Sequence, residues 1–257
     1  SRLDFDSGRV QADSAKQALA IDALSLAAMF ADGASTAAVK LGLSAIDGNA
    51  QDLKIGKLTL DLDARSGETA LKAHLDSPVA ANLGEQTIAL EKFAGSIDLA
   101  NPQMPMKQLK LPLSGSLRAD LKQQTAALEL ATQFDESKIA TKLRVAKFAP
   151  LALGFDLDID QLNVDKYLPP KQAEDKATKE DKLDFSALKG LDVNGAIRIG
   201  ALQVSKLKLA KLNAKLNLAG GRLDVSPLTL NLYEGASSGS LLLNAAGNSL
   251  ALKQNLS

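Results

Sequence analysis

Residues 155–160 read Phe-Asp-Leu-Asp-Ile-Asp, and this alternation of apolar and acidic side chains indicates the fold class of the chain. A period of two places the apolar side chains on one face of an extended strand and the carboxylates on the other. The period recurs elsewhere, and it predicts amphipathic strands at 58–63, 117–122, 155–160, 197–200 and 228–233. Turn-prone residues lie between such segments, at 47–49, 65–67, 220–221 and 234–235.

Regular turns between strands favour antiparallel meanders over strand–helix–strand units, which need a helical pattern between their strands. We therefore predict a mainly β fold, a long antiparallel curled sheet (a groove-like meander) with few short helices. The Ala-rich stretch 14–30 has helical propensity but also alternates, and a strand is favoured there. Short helical turns are expected at 164–168 and 185–189.

Two composition changes predict how the chain is divided. Residues 169–182 begin with Pro-Pro and are charged and nearly free of large apolar side chains, which is typical of a flexible linker. The predicted division is a β-rich segment 1–168, a linker 169–183 and a second β segment 184–257. The Pro-bearing stretch 101–106 is interpreted as a loop.

A Gly followed by a small residue precedes an alternating segment four times, at Gly95, Gly115, Gly195 and Gly239. This pattern indicates either a repeated strand–turn–strand unit or simply the suitability of Gly-Ser for turns. Both interpretations remain open from the sequence.

Composition argues against several classes of ligand. Aromatic residues make up only 4% of the chain and Trp is absent, whereas proteins that stack sugars or bases usually use aromatics. The 30 basic and 30 acidic residues balance, so no nucleic-acid partner is expected. The absence of Cys excludes disulfides, iron–sulfur clusters and thiol catalysis. We expect no cofactor.

No run of apolar residues approaches the 18 or so that a membrane-spanning helix needs, and no signal peptide is recognisable. The chain begins in an alternating pattern without an initiator Met and ends in another. We therefore expect it to be a piece of a longer protein, whose anchoring segment lies elsewhere.

A search for chemical motifs yields only weak candidates. The single histidine, His74, is expected to be an ordinary strand residue, because a zinc site or acid–base catalysis needs partners. Asp156, Asp158 and Asp160 share one face of a strand but lack the Gly and Glu of a calcium loop, so a solvated face is favoured.

Residues 235–239 match the Gly-x-Ser-x-Gly pattern of a serine nucleophile, with Ser237 at its centre. That motif requires a following helix and a later His, so a Gly/Ser hairpin turn is favoured. Lys206, Lys208, Lys211 and Lys215 form a basic streak. It is interpreted as a solvated strand face, although anionic lipid headgroups would suit it.

Longer stretches resemble the AsmA family. They are FDLDIDQLNVDKYLPP (155–170), LDFSALKGLDVNGAIRIGALQV (183–204), AGGRLDVSP (219–227), NLYEGA (231–236), DLKIGKL (52–58) and LDSPVA (75–80). The resemblance covers roughly residues 50–245, in consistent order.

The resemblance implies a bacterial envelope protein with a β-rich periplasmic body tethered to the inner membrane by an N-terminal helix, which this chain lacks. It implies a role in outer-membrane biogenesis, lipopolysaccharide levels and outer-membrane protein assembly. It also implies a relation to bridge-like lipid-transfer proteins, in which a curved sheet forms an apolar groove. The implied partners are phospholipid or lipopolysaccharide-type lipid and envelope proteins, and the family offers no catalytic residues.

The functional question is what covers the apolar strand faces. Either two sheets pack as a sandwich, or one curled sheet keeps an apolar lining for acyl chains. The expected lining residues are Leu58, Leu60, Leu62, Leu117, Leu121, Phe155, Leu157, Ile159, Ile197, Ile199, Leu228, Leu230 and Leu232. We expect a non-enzymatic lipid-handling module; the alternatives are a scaffold that docks proteins by strand addition and, more remotely, a serine hydrolase at Ser237.

Overall fold

The computed structural model describes residues 2–15, 17–49, 51–167, 191–233, 235–244 and the backbone of 249–256. The described residues form sixteen strands and one short 3-10 helix, Val164–Lys166. The prediction of a mainly β fold with few short helices is confirmed. The chain divides into two compact units, unit 1 (Ser1–Asp135) and unit 2 (Glu136–Ser257).

Unit 1 is a meander in which each strand from β3 to β8 pairs antiparallel with the next strand in the chain, while β1 and β2 both pair with β3. Its strands are β1 (Arg2–Ser7), β2 (Val10–Asp13), β3 (Ala18–Asp32), β4 (Ser35–Asn49), β5 (Asp52–Ser66), β6 (Thr69–Asn82), β7 (Thr87–Ala100), β8 (Gln108–Asp120) and β9 (Thr125–Phe134). The Ala-rich stretch is therefore a strand, as favoured above. Among the described residues, no ladder joins β1 to β9, so this sheet is open.

Unit 2 contains β10 (Ser137–Lys147), β11 (Ala152–Asn163), β12 (Asp192–Val204), β13 (Leu207–Ala219), β14 (Arg222–Leu232), β15 (Gly235–Asn244) and β16 (Ser249–Leu256). Neighbouring strands again pair in chain order. One pair departs from the predicted antiparallel arrangement: β11 and β12 run parallel, with Phe155 opposite Gly195 and Ile159 opposite Ile199. A parallel pair needs a crossover connection, and that connection falls at 164–191.

The predicted linker 169–183 and the helical turn 185–189 lie outside the described residues, so the division at that linker remains a prediction. The strands on either side of it, β11 and β12, pair with each other within unit 2. The helical turn at 164–168 is confirmed in part, since Val164–Lys166 forms the 3-10 helix.

Hairpins follow the turn chemistry of the sequence in several places. Gly67 has φ +57° between β5 and β6, and Gly220 and Gly221 have φ +57° and +78° between β13 and β14. The left-handed region costs glycine little, so these turns form where expected. The turn after β4 lies later than predicted, because residues 47–49 still belong to the strand. The turn that follows is stabilised by the Asn49 side chain, whose oxygen accepts hydrogen bonds from the backbone N–H groups of Gln51 and Asp52.

The Gly-plus-small pattern proved not to mark turns. Gly95, Gly115, Gly195 and Gly239 all lie inside strands. The predicted hairpin turn at 235–239 is likewise wrong, because β15 begins at Gly235 and continues to Asn244. Gly115 and Gly195 allow close approach rather than reversal, since a Cβ on Gly115 would lie 2.7 Å from the Phe93 ring and a Cβ on Gly195 would meet the Phe155 ring.

Each unit is a single layer. Within a unit, the described elements contact almost only their sheet neighbours, so no second sheet packs on the first and the sandwich interpretation does not apply inside either unit. Among the described residues only seven apolar side chains are buried, with less than a tenth of their surface exposed, namely Ile46, Val79, Phe93, Ala214, Leu218, Val225 and Leu243.

Candidate functional site

One face of the unit 1 sheet consists of rows of apolar residues, where a row is a set of residues opposite one another on successive strands. The central row crosses β3 to β8 through Leu26, Leu41, Leu60, Leu75, Gly95 and Leu113. The next row contains Ala28, Val39, Leu62, Ala73, Ile97 and Leu111, and a third contains Phe30, Ala37, Ala64, Leu71, Leu99 and Leu109. We call these three rows, with Leu58 and Leu117, the unit 1 apolar face.

The face is apolar because the alternation keeps register from strand to strand, and a slip of one residue would exchange the two faces. No charged residue occurs in the three rows. Six strands at about 4.8 Å spacing give each row a length of about 24 Å. That exceeds the roughly 15 Å of one leaflet of a bilayer's hydrocarbon core.

The unit 1 apolar face is only half-buried: three of its row residues are exposed and the others are intermediate in burial. Leu26 and Leu60 keep 38% of their surface exposed, and Phe30 keeps 55%. An ordinary core buries such side chains almost completely. A continuous apolar surface that its own sheet leaves incompletely buried is typical of a site that binds another apolar molecule.

Phe30, Ala37, Ala64 and Leu71 also line an open recess of about 560 Å³ at the end of this face. The recess lies at the β3–β4 and β5–β6 hairpins, and the polar side chains at its rim come from the hairpin ends, including Ser35. Its volume falls in the range of small-molecule sites, about 300–1,000 Å³. The apolar rows are therefore continuous with a concave end.

The buried positions of unit 1 lie at irregularities of the sheet. Phe93 is 8% exposed and sits at a register shift of β7, with its ring over Gly115 of β8. Ile46 and Val79 face Ile55, next to a shift between β5 and β6. Bulges increase local twist, which brings side chains of one face closer together.

Unit 2 carries a corresponding surface, which we call the unit 2 apolar face. Its rows across β10 to β15 contain Leu143, Phe155, Gly195, Leu216, Val225 and Leu241; Val145, Leu153, Val193, Leu218, Leu223 and Leu243; and Thr141, Leu157, Ile197, Ala214, Leu228 and Gly239. A shorter row holds Ile139, Ile159, Ile199 and Leu212. Phe155 covers Gly195 as Phe93 covers Gly115.

The structure places most predicted lining residues on these two surfaces. Leu58, Leu60, Leu62 and Leu117 share the unit 1 apolar face. In unit 2, Leu228, Leu230 and Leu232 alternate along β14, on the face that also carries Phe155, Leu157, Ile159, Ile197 and Ile199. Leu121 differs: it lies beyond the end of β8, is 56% exposed, and donates its N–H to the Gln86 carbonyl.

The opposite face of unit 2 is charged and internally paired. Arg198 donates to the Asp158 carboxylate at 2.9 Å and lies 3.5 Å from Asp156, which Arg144 also approaches at 3.2 Å. The hydrogen bond from Arg198, followed by the charge of that guanidinium, lowers the pKa of Asp158 below its ordinary value. Asp160 accepts the backbone N–H of Lys138. The three carboxylates of the candidate calcium site therefore bind arginines and backbone amides.

His74 occupies a similar position on the polar face of unit 1. Its Nδ1 lies 2.7 Å from the Asp61 carboxylate and its Nε2 3.1 Å from Asp76, which also pairs with Lys57 at 3.3 Å. The hydrogen bond to Asp61, followed by that to Asp76, raises the pKa of His74 above its ordinary value of 6.5. This strand histidine thus joins β5 to β6, a contact that the sequence alone did not indicate.

Ser237 lies in a geometry unlike a nucleophile elbow. It is a strand residue of β15, 8% exposed, and its cross-strand neighbours are Leu230 and Leu256. The elbow places its Ser in a sharp strand-to-helix turn, and β15 runs on as a strand instead.

No family model, curated protein or solved structure shows significant similarity to the chain. Among the described residues, no helix is both long enough and apolar enough to cross a membrane. The candidate site therefore rests on the two apolar faces themselves.

Proposed function

We propose that the chain is a non-enzymatic lipid-handling module whose two apolar faces hold acyl chains. The observation that carries this proposal is the incomplete burial of whole apolar rows on a one-layered sheet. Burial of each methylene on such a face contributes about 0.8 kcal/mol. Leu, Val, Ile and Ala make no directional demands, which suits chains that slide.

The biological setting is part of the proposal and comes from the resemblance to the AsmA family. On this proposal the chain belongs to the periplasmic part of an envelope protein, tethered to the bacterial inner membrane, that works in outer-membrane biogenesis. Its lipid is a phospholipid or a lipopolysaccharide-type lipid. The polar, ion-paired opposite faces support the proposal, because they allow one side of each sheet to remain in water.

The test is direct. The chain is purified without detergent and extracted, and bound lipid is quantified by mass spectrometry against an equal amount of an unrelated β protein. Stoichiometric diacyl or lipid A-type lipid supports the proposal. Absence of lipid, together with failure to bind added fatty acid in solution, would contradict it.

A second candidate function is a scaffold that docks an envelope protein by strand addition. The supporting observation is that every side chain of β1 is exposed, including Phe5 with 69% of its surface exposed. Among the described residues, β1 pairs with β3 along one of its edges and has no partner strand along the other. A free strand edge is a template for another strand. Periplasmic photo-crosslinking from Phe5 that traps lipid but no protein would argue against it.

A further inference from the structure

The basic streak of the sequence lies along β13, on the face away from the unit 2 apolar face. Lys208 and Lys215 alternate with the apolar residues of that strand, and all four lysines, including Lys206 and Lys211, are exposed. From Lys208 to Lys215 the streak is about 23 Å long at about 3.3 Å per residue.

The residues opposite the streak on β12 are uncharged, since Gln203 faces Lys208 and Ala196 faces Lys215. No carboxylate of β12 therefore lies directly opposite these two lysines, in contrast to Arg198, whose guanidinium binds two carboxylates.

The streak ends at a hairpin whose backbone is held in an unusual conformation. Ser205 and Lys206 form the β12–β13 turn, and their φ angles are +50° and +66°. Two-residue hairpin turns with positive φ at both positions ordinarily contain Asn-Gly. The Asp165 carboxylate accepts the N–H groups of both residues, at 2.5 and 2.8 Å, and also the Gln203 amide at 3.1 Å. The Asp165 carboxylate is thus bound to the turn itself, and it holds the backbone of Lys206 at the tip.

Exposed apolar side chains lie at the same end of the sheet. Leu207, at the tip, is 45% exposed, and Tyr233 is 76% exposed at the end of β14. The pairing of Leu209 with Leu232 places both near that end. Exposed Tyr and Leu beside lysines form the combination that proteins use at the boundary between water and lipid, where the rings and methyl groups enter and the ammonium groups remain among headgroups.

We propose that this end of unit 2, formed by Lys206, Leu207, Lys208, Lys211 and Tyr233, docks onto an anionic phospholipid bilayer. The lysines supply attraction to the headgroups, and Leu207 and Tyr233 enter the interface. The docking is separate from acyl-chain binding by the apolar faces, although it would bring their ends to a source of lipid.

The test uses the full 257-residue chain and flotation with vesicles of phosphatidylcholine alone or with 30% phosphatidylglycerol. Binding is expected with the anionic vesicles only, and 0.5 M NaCl should remove it. Each lysine near a charged surface is worth about a fivefold change in affinity, so Lys206→Gln/Lys208→Gln/Lys211→Gln should weaken binding about a hundredfold.

A matched control removes the same charge from unit 1, as Lys54→Gln/Lys92→Gln/Lys107→Gln, and should bind like the unchanged chain. Tyr233→Trp adds a site-specific probe, because the chain has no Trp. Its emission should shift to the blue with anionic vesicles and not with inorganic phosphate.

Several results would overturn the proposal. They are equal binding by the two triple variants, equal binding to both kinds of vesicle, and a Trp emission that phosphate changes but vesicles do not. Binding of a soluble polyanion without any vesicle binding would also overturn it and assign the streak to a polymer. Unfolding midpoints of all variants should match, and fatty-acid binding in the absence of vesicles tests the apolar faces separately.

Discussion

Substitution of Leu60 by Gln should weaken acyl-chain binding while the chain remains folded. Leu60 lies at the centre of the unit 1 apolar face, between Leu41 and Leu75, and is 38% exposed. An acyl chain crossing the row would contact it with about two to three methylenes, worth about 2 kcal/mol in total. A polar amide forfeits that contact, so the dissociation constant should rise about 30-fold.

The assay is equilibrium dialysis of a radiolabelled fatty acid below its micelle concentration, with urea unfolding measured on the same samples. Loss of the buried part of Leu60 should lower the free energy of unfolding by about 1–2 kcal/mol. Lys40→Gln is the matched control, because Lys40 lies on the neighbouring β4, opposite Asp61, on the polar face.

The reasoning predicts unchanged affinity for Lys40→Gln and reduced affinity for Leu60→Gln while both remain folded. Equal fatty-acid affinity in the two variants would refute the assignment of the unit 1 apolar face as the binding surface. The same holds if the unchanged chain binds no fatty acid.

Three further predictions concern the sheet itself. Gly115→Ala should lower the unfolding free energy by about 1–3 kcal/mol, because its Cβ would meet the backbone carbonyl of Glu129 and the Phe93 ring. The control Gly84→Ala, whose Cβ would have its nearest neighbour atom 3.4 Å away, should leave the unfolding free energy unchanged. The raised pKa of His74 means that its ion pairs stabilise the fold fully below its ordinary value of 6.5 and that this contribution disappears as pH rises through the folded value. Urea titrations should therefore show a larger difference in unfolding free energy between the unchanged chain and His74→Gln at pH 5.5 than at pH 8.5. The difference should stay below about 1 kcal/mol, because the ion pairs are exposed. A larger difference at pH 8.5 would contradict the predicted direction of the pH dependence. Asp165→Ala should accelerate hydrogen exchange of the Ser205 and Lys206 amides, which lose their acceptor, while Tyr167 N–H, bound to the Val164 carbonyl, serves as an internal reference.

Alternation in the sequence was sufficient to predict the amphipathic strands, because side-chain period and strand geometry are directly linked. It placed Leu58, Leu60 and Leu62 on one face, and the strand at 18–32 followed from the same signal despite its Ala-rich composition. Cross-strand register was not predictable, since it depends on where each hairpin turns. The contact of His74 with Asp61 and Asp76 therefore emerged only from the structure.

Glycine was the main source of error. The Gly-Ser signal is the same in a turn and inside a strand, so the sequence does not show that Gly115 lies in a strand beside the Phe93 ring or that Gly239 lies within β15. Alternation does not reveal strand direction, so it does not predict the parallel β11–β12 pair. Leu121 continues the period of β8 in the sequence, whereas the strand ends at Asp120.

From β3 to β9, every ladder of unit 1 joins strands that are consecutive in the chain. Such a sheet can grow or shrink by whole hairpins. When two consecutive strands are removed, the strands on either side of the gap still run antiparallel to each other, and the remaining hairpins are unchanged. Each added hairpin would lengthen an apolar row by about 10 Å. The distance over which this architecture presents an apolar surface is thus set by the number of hairpins, and duplication of a short coding segment is enough to change it.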